Sequence, residues 1–119
     1  MDYAPARRIG DIIKEKNIIL RGADAASRQG FTQVPNFILK SPKLSTGAKL
    51  TYAMLLSYAW QNDYCFPGQD RLAKDAGSGV RSVVRYIDEL EKSGYLKIQR
   101  RGQGKPNIYE VIIKANGKS

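Results

Sequence analysis

The chain has 119 residues, of which 20 are lysine or arginine and 11 are aspartate or glutamate, so its formal net charge is +9. This length predicts one domain with a short extension, and the basic excess favours a polyanionic partner, nucleic acid above all. The sequence has no histidine and a single cysteine, which excludes the usual zinc sites and histidine-based catalytic triads. We therefore expect no metal, no cofactor and no enzymatic activity.

Residues 1–29 differ from the rest of the chain and form a predicted basic arm or extension. Ile9, Ile12 and Ile13 have the spacing of a short amphipathic helix. Three roles are open for this segment: an arm on DNA, an element that joins a second copy or another protein, or a disordered leader. It has no apolar run of signal-peptide length, and no run in the chain approaches the ~20 residues of a membrane span. With one cysteine, these features predict a cytoplasmic protein without membrane contact.

Residues 30–114 carry the pattern of a folded domain, beginning with two helices. The stretch "LSTGAKLTYAMLLSYAWQ" predicts a helix over about 46–61 with a cap at Ser45 or Thr46. Apolar residues cover most of its circumference, so we expect it to be the central buried helix. After a break at "NDYCFPG", "GQDRLAKDAG" predicts a second, short helix that ends at Gly77.

A third helix follows in "SGVRSVVRYIDELEKSG", with Ser78 as its predicted cap. Helical periodicity predicts that one apolar stripe faces the core: Val80, Val83, Val84, Ile87 and Leu90. Tyr86 lies beside this stripe, and we expect it to pack against the segment that follows the helix.

The charges of the third helix are placed against its dipole. Arg81 and Arg85 stand four residues apart in its front half, where acids would be favoured, and they repel each other by a few tenths of a kcal/mol. The acids come later: Asp88, Glu89 and Glu91. An anionic partner would make this order useful, with the acids facing away from it and paired with Lys92 or neighbouring bases. The alternative is an ion pair of Arg85 with Asp88 or Glu89 inside the helix.

The remainder of the domain changes from helical to alternating periodicity. "YLKIQRR" and "NIYEVII" read as two short strands around the loop "RGQGKP", which predicts a β-hairpin. Residues 115–119 form a polar tail. The predicted fold class is α+β, mainly α: a three-helix core followed by a C-terminal hairpin. Two short helices joined by the tight turn "AGSG" form a helix-turn-helix.

The stretch "DRLAKDAGSGVRSVVRYIDELEKSGYLKIQRRGQGKPNIYEV" resembles the L-A-x-x-x-G-x-S-x-x-x-V-x-R-x-I-x-x-L-x-x-x-G-Y-L pattern of winged helix-turn-helix DNA-binding domains. The lead-in "VPNFILKSPKLSTGAKLTYAMLLSYA" is similar to the N-terminal domains of bacterial plasmid and phage replication initiators. The resemblance covers about residues 31–113. It implies a winged helix whose third helix enters the major groove of double-stranded DNA. The sequence departs from the family pattern after the turn, where Ser78 stands one position early.

The candidate DNA-binding residues lie on three elements. In the third helix, Arg81 and Arg85 are expected to reach guanine edges or phosphates, and the helix N-terminus is expected to bind a phosphate. The hairpin is expected to contact the backbone or the minor groove, and the second helix to contact phosphates. The complete set is Gln69, Arg71, Ser78, Gly79, Arg81, Ser82, Arg85, Arg100, Arg101, Gln103 and Lys105.

The function predicted from these features is sequence-specific binding of double-stranded DNA in plasmid or phage replication initiation or another mobile-element process. A transcriptional regulator and a conjugation protein are alternatives within the same class. An alternative of another class is a protein–protein interaction module of a replication or helicase-loading complex. The sequence leaves open whether these residues are a complete protein or the N-terminal domain of a longer one.

Overall fold

The computed structural model describes residues 20–21, 30–60 and 66–114, where helices are followed by a hairpin in the predicted order. The chain divides into two units, Met1–Phe31 and Thr32–Ser119, and the described helices and strands lie in the second. Its elements are α1 (Asn36–Leu39), α2 (Thr46–Trp60), α3 (Gln69–Ala76), α4 (Val80–Lys92), β1 (Leu96–Gln99) and β2 (Ile108–Val111). The arm predicted for residues 1–29 lies outside the described residues apart from positions 20 and 21, and the tail at 115–119 lies wholly outside them.

Ser45 begins α2, as the sequence predicts, with help from α4. Its hydroxyl accepts a hydrogen bond from the Ala48 amide at 3.1 Å, which is the usual N-cap contact. Glu89 of α4 completes the cap, because its carboxylate accepts bonds from the Ser45 amide at 2.8 Å and the Ser45 hydroxyl at 2.7 Å. A capping box normally takes this glutamate from the same helix. Here it comes from α4, so the cap also joins the two helices.

A second contact between α2 and α4 involves Gly47 and Tyr86. The Tyr86 ring lies directly on the Gly47 backbone, and a Cβ atom at position 47 would overlap the ring. The prediction that Tyr86 packs against the hairpin is therefore wrong. Glycine in the first turn of α2 leaves a flat backbone surface, and the aromatic ring occupies it.

The central helix α2 buries one face rather than its whole circumference. The buried residues follow helical spacing: Ala48, Thr51, Tyr52, Leu55 and Leu56. Leu50 and Trp60 are 46% and 52% exposed, so the expectation of burial all round is wrong at these two positions. The reason is that α3, α4 and β2 contact α2, and within the described residues they leave Leu50 and Trp60 uncovered.

Tyr52 connects α2 to the end of the hairpin. Its hydroxyl donates a 2.8 Å hydrogen bond to the Ile112 carbonyl, and the side chain is 1% exposed. Burial raises the pKa of Tyr52 to about 12. The hairpin base is fixed again by the Ile112 amide, which donates to the Tyr95 carbonyl at 3.0 Å.

The hairpin is antiparallel, with Leu96 opposite Val111 and Gln99 opposite Ile108. Phe66, just before α3, packs edge-on against Tyr109 with ring centroids 4.6 Å apart. Phe66 itself belongs to no helix or strand. The four described helices, the turn before α2 and β1 contribute residues to one apolar core: Ile38, Leu44, Ala48, Tyr52, Leu55, Leu56, Leu72, Ala73, Val83, Ile87, Leu90 and Leu96.

The shared cap predicts different costs for two neighbouring acids of α4. Glu89→Ala removes the acceptor of both Ser45 bonds, so we expect the free energy of unfolding to fall by about 1–2 kcal/mol. Asp88→Ala removes only an exposed i, i+4 pair with Lys92 and should cost no more than about 0.5 kcal/mol. Urea denaturation of both variants measures the difference. Equal losses would show that the Ser45 contact does not contribute to stability.

Candidate nucleic-acid interface

The turn between α3 and α4 is built around Gly77. Its φ of 66° is left-handed, the region that favours glycine. The Gly77 amide donates to the Lys74 carbonyl and the Ser78 amide to the Ala73 carbonyl, at 3.2 and 2.9 Å. This pair of bonds is a Schellman motif. It confirms the predicted end of α3 and sets the direction in which α4 begins.

Gly79, rather than Ser78, occupies the cap position of α4. The prediction for Ser78 is wrong because its amide closes the end of α3, which leaves Gly79 as the last residue before the helix. Gly79 has no side chain to bond the first helical amides, and the first turn contains no acid. The start of α4 therefore has free backbone donors at the positive end of its dipole.

The second helix of the helix-turn-helix has a buried face and a cationic face. Val83, Ile87 and Leu90 are buried, while Arg81 and Arg85 point to the other side and are exposed. Arg81 makes no side-chain hydrogen bond or ion pair with any described residue. Its charge is therefore available to a partner.

Among the described residues, Arg85 contacts only neutral groups. Its Nη2 donates a long 3.4 Å bond to the Ser82 hydroxyl, and its guanidinium lies 5.7 Å from the centroid of the Tyr86 ring. The alternative ion pair with Asp88 or Glu89 is not formed. Both acids bond elsewhere, so Arg85 has no acidic partner among the described residues.

The acids of α4 have separate partners away from the arginines. Asp88 pairs with Lys92 at 3.0 Å, as predicted. Glu89 bonds Ser45 of the α2 cap, whereas the sequence predicts a basic partner for it. Glu91 pairs with Arg100 at the start of the hairpin loop. Each acid in the back half of α4 thus has a bonding partner, whereas the two arginines in the front half have no acidic partner among the described residues.

Val80 and Val84 do not face the core, contrary to the prediction. They are 39% and 44% exposed, whereas Val83 is fully buried. At about 100° per residue, Val80 and Val84 lie about 60° and 100° around the helix from Val83. The stripe of five apolar residues is wider than the surface that the core covers, so its outer edge reaches solvent beside Arg81.

The hairpin loop, residues 100–107, is fully exposed and basic. Gly102 and Gly104 have φ values of 90° and 76°, and this left-handed backbone folds the tip tightly. Arg101 Nε donates to the Pro106 carbonyl at 2.9 Å, which holds its stem along the loop. Gln103 and Lys105 make no side-chain bond with a described residue. No acid occurs between Lys97 and Glu110.

Arg100 differs from the other basic residues of the loop because it is paired. Its two terminal nitrogens donate to the two carboxylate oxygens of Glu91, at 3.0 and 3.2 Å. This hydrogen-bonded contact raises the pKa of the Arg100 guanidinium above its usual value. A bidentate pair has a defined geometry, so it fixes the start of the loop against α4.

The two DNA-binding residues predicted on α3, Arg71 and Gln69, also differ in their bonding, because only Arg71 is paired within the described part of the chain. Arg71 Nε donates to both oxygens of Asp75 at 3.1 Å. The Asp75 carboxylate also accepts a bond from the Tyr58 hydroxyl at 2.9 Å. The bond from Tyr58, followed by that from Arg71, lowers the pKa of Asp75, while burial raises the pKa of Tyr58 to about 12. Gln69 is exposed at the first position of α3.

A helix-turn-helix followed by a basic hairpin agrees with the comparisons. A family model of the helix-turn-helix domain matches residues 43–96. Two similar solved structures are described as "N-Terminal domain of DNA binding protein" and "Structure of Rep-DNA complex". Their sequences are 19% and 20% identical to this chain, and each match has a TM-score of 0.57 and covers 83% of this chain and 89% of the other. Comparison with curated protein sequences gave no match.

The fold is a winged helix-turn-helix. Helix α4 is its recognition helix and the hairpin β1–β2 is its wing, which confirms the predicted fold class. No helix among the described residues is long and apolar enough to span a bilayer. Within the same residues, no three Cys, Asp or Glu side chains are grouped as potential metal ligands.

An open cleft of about 740 Å³ separates the start of α3 from the wing. Gln69 and Asp70 line one side, and Arg101 and Asn107 line the other. Asp70 places a negative charge beside Gln69 on the α3 side of the cleft. The wing side carries the positive charge.

Sequence reasoning missed the exposure of Val80 and Val84, which lie on α4 beside the candidate residue Arg81. The sequence contains an indication of this exposure, because its five apolar residues form a wide arc on a helix that packs at the edge of a small domain. The structure joins Arg81, Ser82 and Arg85 on the recognition helix, and Arg101, Gln103 and Lys105 on the wing. It sets Arg71 and Arg100 apart as paired residues.

Substitution by serine should have opposite effects on stability at the two glycines of the turn, Gly77 and Gly79. Gly77→Ser places a side chain at a left-handed residue, so the free energy of unfolding should fall by about 1 kcal/mol. Gly79 has φ −79° and ψ 155°, which serine adopts readily, and serine is the better helix cap. Gly79→Ser should therefore raise the free energy of unfolding by a few tenths of a kcal/mol. Thermal denaturation of the two variants measures the sign, and destabilisation by both would contradict the assigned cap.

Proposed function

We propose that this protein is a non-enzymatic DNA-binding protein that recognises a specific double-stranded sequence. The observation that carries the proposal is the pair Arg81 and Arg85, exposed on the recognition helix without an acidic partner among the described residues. Such uncompensated charge suits a phosphate-lined groove. The DNA complex among the similar solved structures supports the same function.

In the proposed complex, α4 lies in the major groove with its N-terminal half nearest the bases. Arg81 and Arg85 are one turn apart and read guanine edges, and Ser82 accompanies them. The free amides after Gly79, with Ser78 beside them, bind a backbone phosphate at the positive end of the helix dipole. Sequence is read by the side chains, whereas the amides set the position of the helix.

The wing supplies the second contact, on the backbone or in the minor groove. Arg101, Gln103 and Lys105 stand at its exposed tip, where the glycine-bearing turn allows close approach to DNA. Arg100 serves a different purpose, because its bond to Glu91 holds the wing against the recognition helix. It is a positioning residue that sets the angle between the two contacts.

Helix α3 makes the weakest contribution to the proposed interface. Gln69 is free to reach a phosphate, but Asp70 next to it reduces the local positive potential. Arg71 uses Nε to bond Asp75, so only its terminal nitrogens remain for phosphate. Both residues position the protein on DNA rather than read bases.

We propose replication initiation of a plasmid or phage, or another mobile-element process, as the biological role. Its support is the resemblance of residues 31–113 to initiator N-terminal domains, together with the solved structure described as a Rep–DNA complex. Transcriptional regulation is the alternative within DNA binding. A cytoplasmic location belongs to this proposal, since the single cysteine suits a reducing compartment.

An interaction module of a helicase-loading complex is the alternative from another class. The charges argue against it, because a protein partner would not require unpaired arginines on both the recognition helix and the wing. A second copy or another protein remains a proposed partner for residues 1–29. A palindromic or repeated binding site would support association of two copies.

Titration of the full chain against a random duplex at several salt concentrations tests the proposed function. If about six phosphates are neutralised, log affinity should fall with log salt at a slope of about −5. Arg81→Ala should weaken binding to a site selected from random sequences by about 5- to 150-fold. Arg101→Ala should weaken all sequences alike and reduce the slope by about 1.

Lys92→Ala is the matched control, because it removes the same charge from the far end of α4, where Lys92 pairs with Asp88. It should leave DNA affinity nearly unchanged. Failure to bind any duplex at low salt would overturn the proposed function. Equal weakening by Arg81→Ala and Lys92→Ala would also overturn it, because binding would then follow net charge alone.

A further inference from the structure

We infer that Val80 and Val84 recognise thymine methyl groups in the major groove, which makes them specificity-determining residues. This inference rests on the proposed DNA-binding function and extends it to the base composition of the site. It begins from an observation that the core does not explain: two aliphatic side chains, 39% and 44% exposed, on the recognition helix.

The two valines belong to the surface that carries the arginines. Val84 follows Arg81 by three residues and is its neighbour on the helix surface, and Val80 lies one turn before Val84 on the same side of the helix. All four side chains are exposed and occupy the first two turns of α4. This is the part of a recognition helix that lies nearest the base edges. Apolar and cationic groups therefore face the same region of the groove.

The chemistry of the major groove indicates which group of the bases the two valines contact. Base pairs present donors and acceptors there, and the thymine methyl is their one apolar group. Arginine matches guanine O6 and N7, whereas a valine next to a polar edge would bury that edge without a hydrogen bond. Valine against a thymine methyl avoids this cost and removes apolar surface from water.

The spacing of the valines also predicts the spacing of the thymines. Residues four apart are separated by about 6 Å along a helix, and stacked base pairs by about 3.4 Å. For a helix that follows the groove, Val80 and Val84 reach base pairs about two steps apart. The expected site therefore contains two thymines at this spacing, on either strand, next to guanines read by Arg81 and Arg85.

Deoxyuridine tests this contact, because it lacks only the methyl group and pairs as thymidine does. Each thymine of a site selected from random sequences is replaced singly, and affinity for the full chain is measured. At one or two positions the replacement should weaken binding by about threefold to fourfold, the value of one buried methyl. At those positions Val80→Ala or Val84→Ala should abolish the difference between thymine and uracil.

The matched control is Leu39→Ala, which shortens an exposed aliphatic side chain of α1 and should leave the uracil effect intact. Alanine is a good helix former, so the valine variants should keep their helix, and circular dichroism verifies this. The inference is overturned if no uracil replacement weakens binding, or if the effect persists in both valine variants, while the arginine variants still lose affinity. Absence of any preferred sequence would instead overturn the proposed function itself.

Discussion

The rotation of α4 about its own axis is the constraint on which the rest of this winged helix depends. Two contacts with the first turn of α2 set it: Glu89 bonds Ser45, and Tyr86 lies on Gly47. Both act one turn apart along the same flank of α4. The buried stripe then has a single orientation, and Arg81 is directed away from the core. A rotation of α4 by about 60° to 100° would bring Val84 or Val80 to the position of Arg81.

The same contacts resolve the unfavourable charge order of α4. Each acid in its back half bonds a specific partner, on α2, on the wing or within the helix itself. None of these acids bonds Arg81 or Arg85. The repulsion between two arginines one turn apart amounts to a few tenths of a kcal/mol, a cost that the buried stripe and the shared cap offset easily. Helix stability is thus supplied by tertiary contacts, which leaves the front half free for charge.

The wing combines a fixed base with an exposed tip. Tyr52 bonds the Ile112 carbonyl beneath the hairpin, and Arg100 bonds Glu91 where the loop begins. Beyond Arg100 the loop is held by its own backbone and by the bond from Arg101 to Pro106. A surface that must fit a groove and a backbone together requires a defined angle between recognition helix and wing. In the proposed complex, the paired arginine sets that angle and the unpaired residues make the contact with DNA.

The sequence by itself determined the element order, the glycine end of α3, a cap at Ser45 or Thr46 and the basic hairpin. These are local properties, because periodicity, capping residues and turn glycines act over a few neighbouring positions. Arg81 and Arg85 could also be chosen as candidate DNA-binding residues from the sequence, since their charge conflicts with the helix dipole. Local sequence patterns were therefore sufficient to predict the fold class and to choose the main candidate residues.

Only the tertiary structure decided how each face and charge is used. Glu89 caps a helix 44 positions earlier in the chain, and Arg100 has a partner nine positions away. Neither pairing follows from local spacing. Periodicity placed Val80 and Val84 on the apolar stripe, but burial depends on how much of that stripe the neighbouring elements cover. Here the neighbouring elements cover Val83 and Ile87 but not Val80 and Val84, because the packed surface of a small domain is narrower than the apolar arc of this helix.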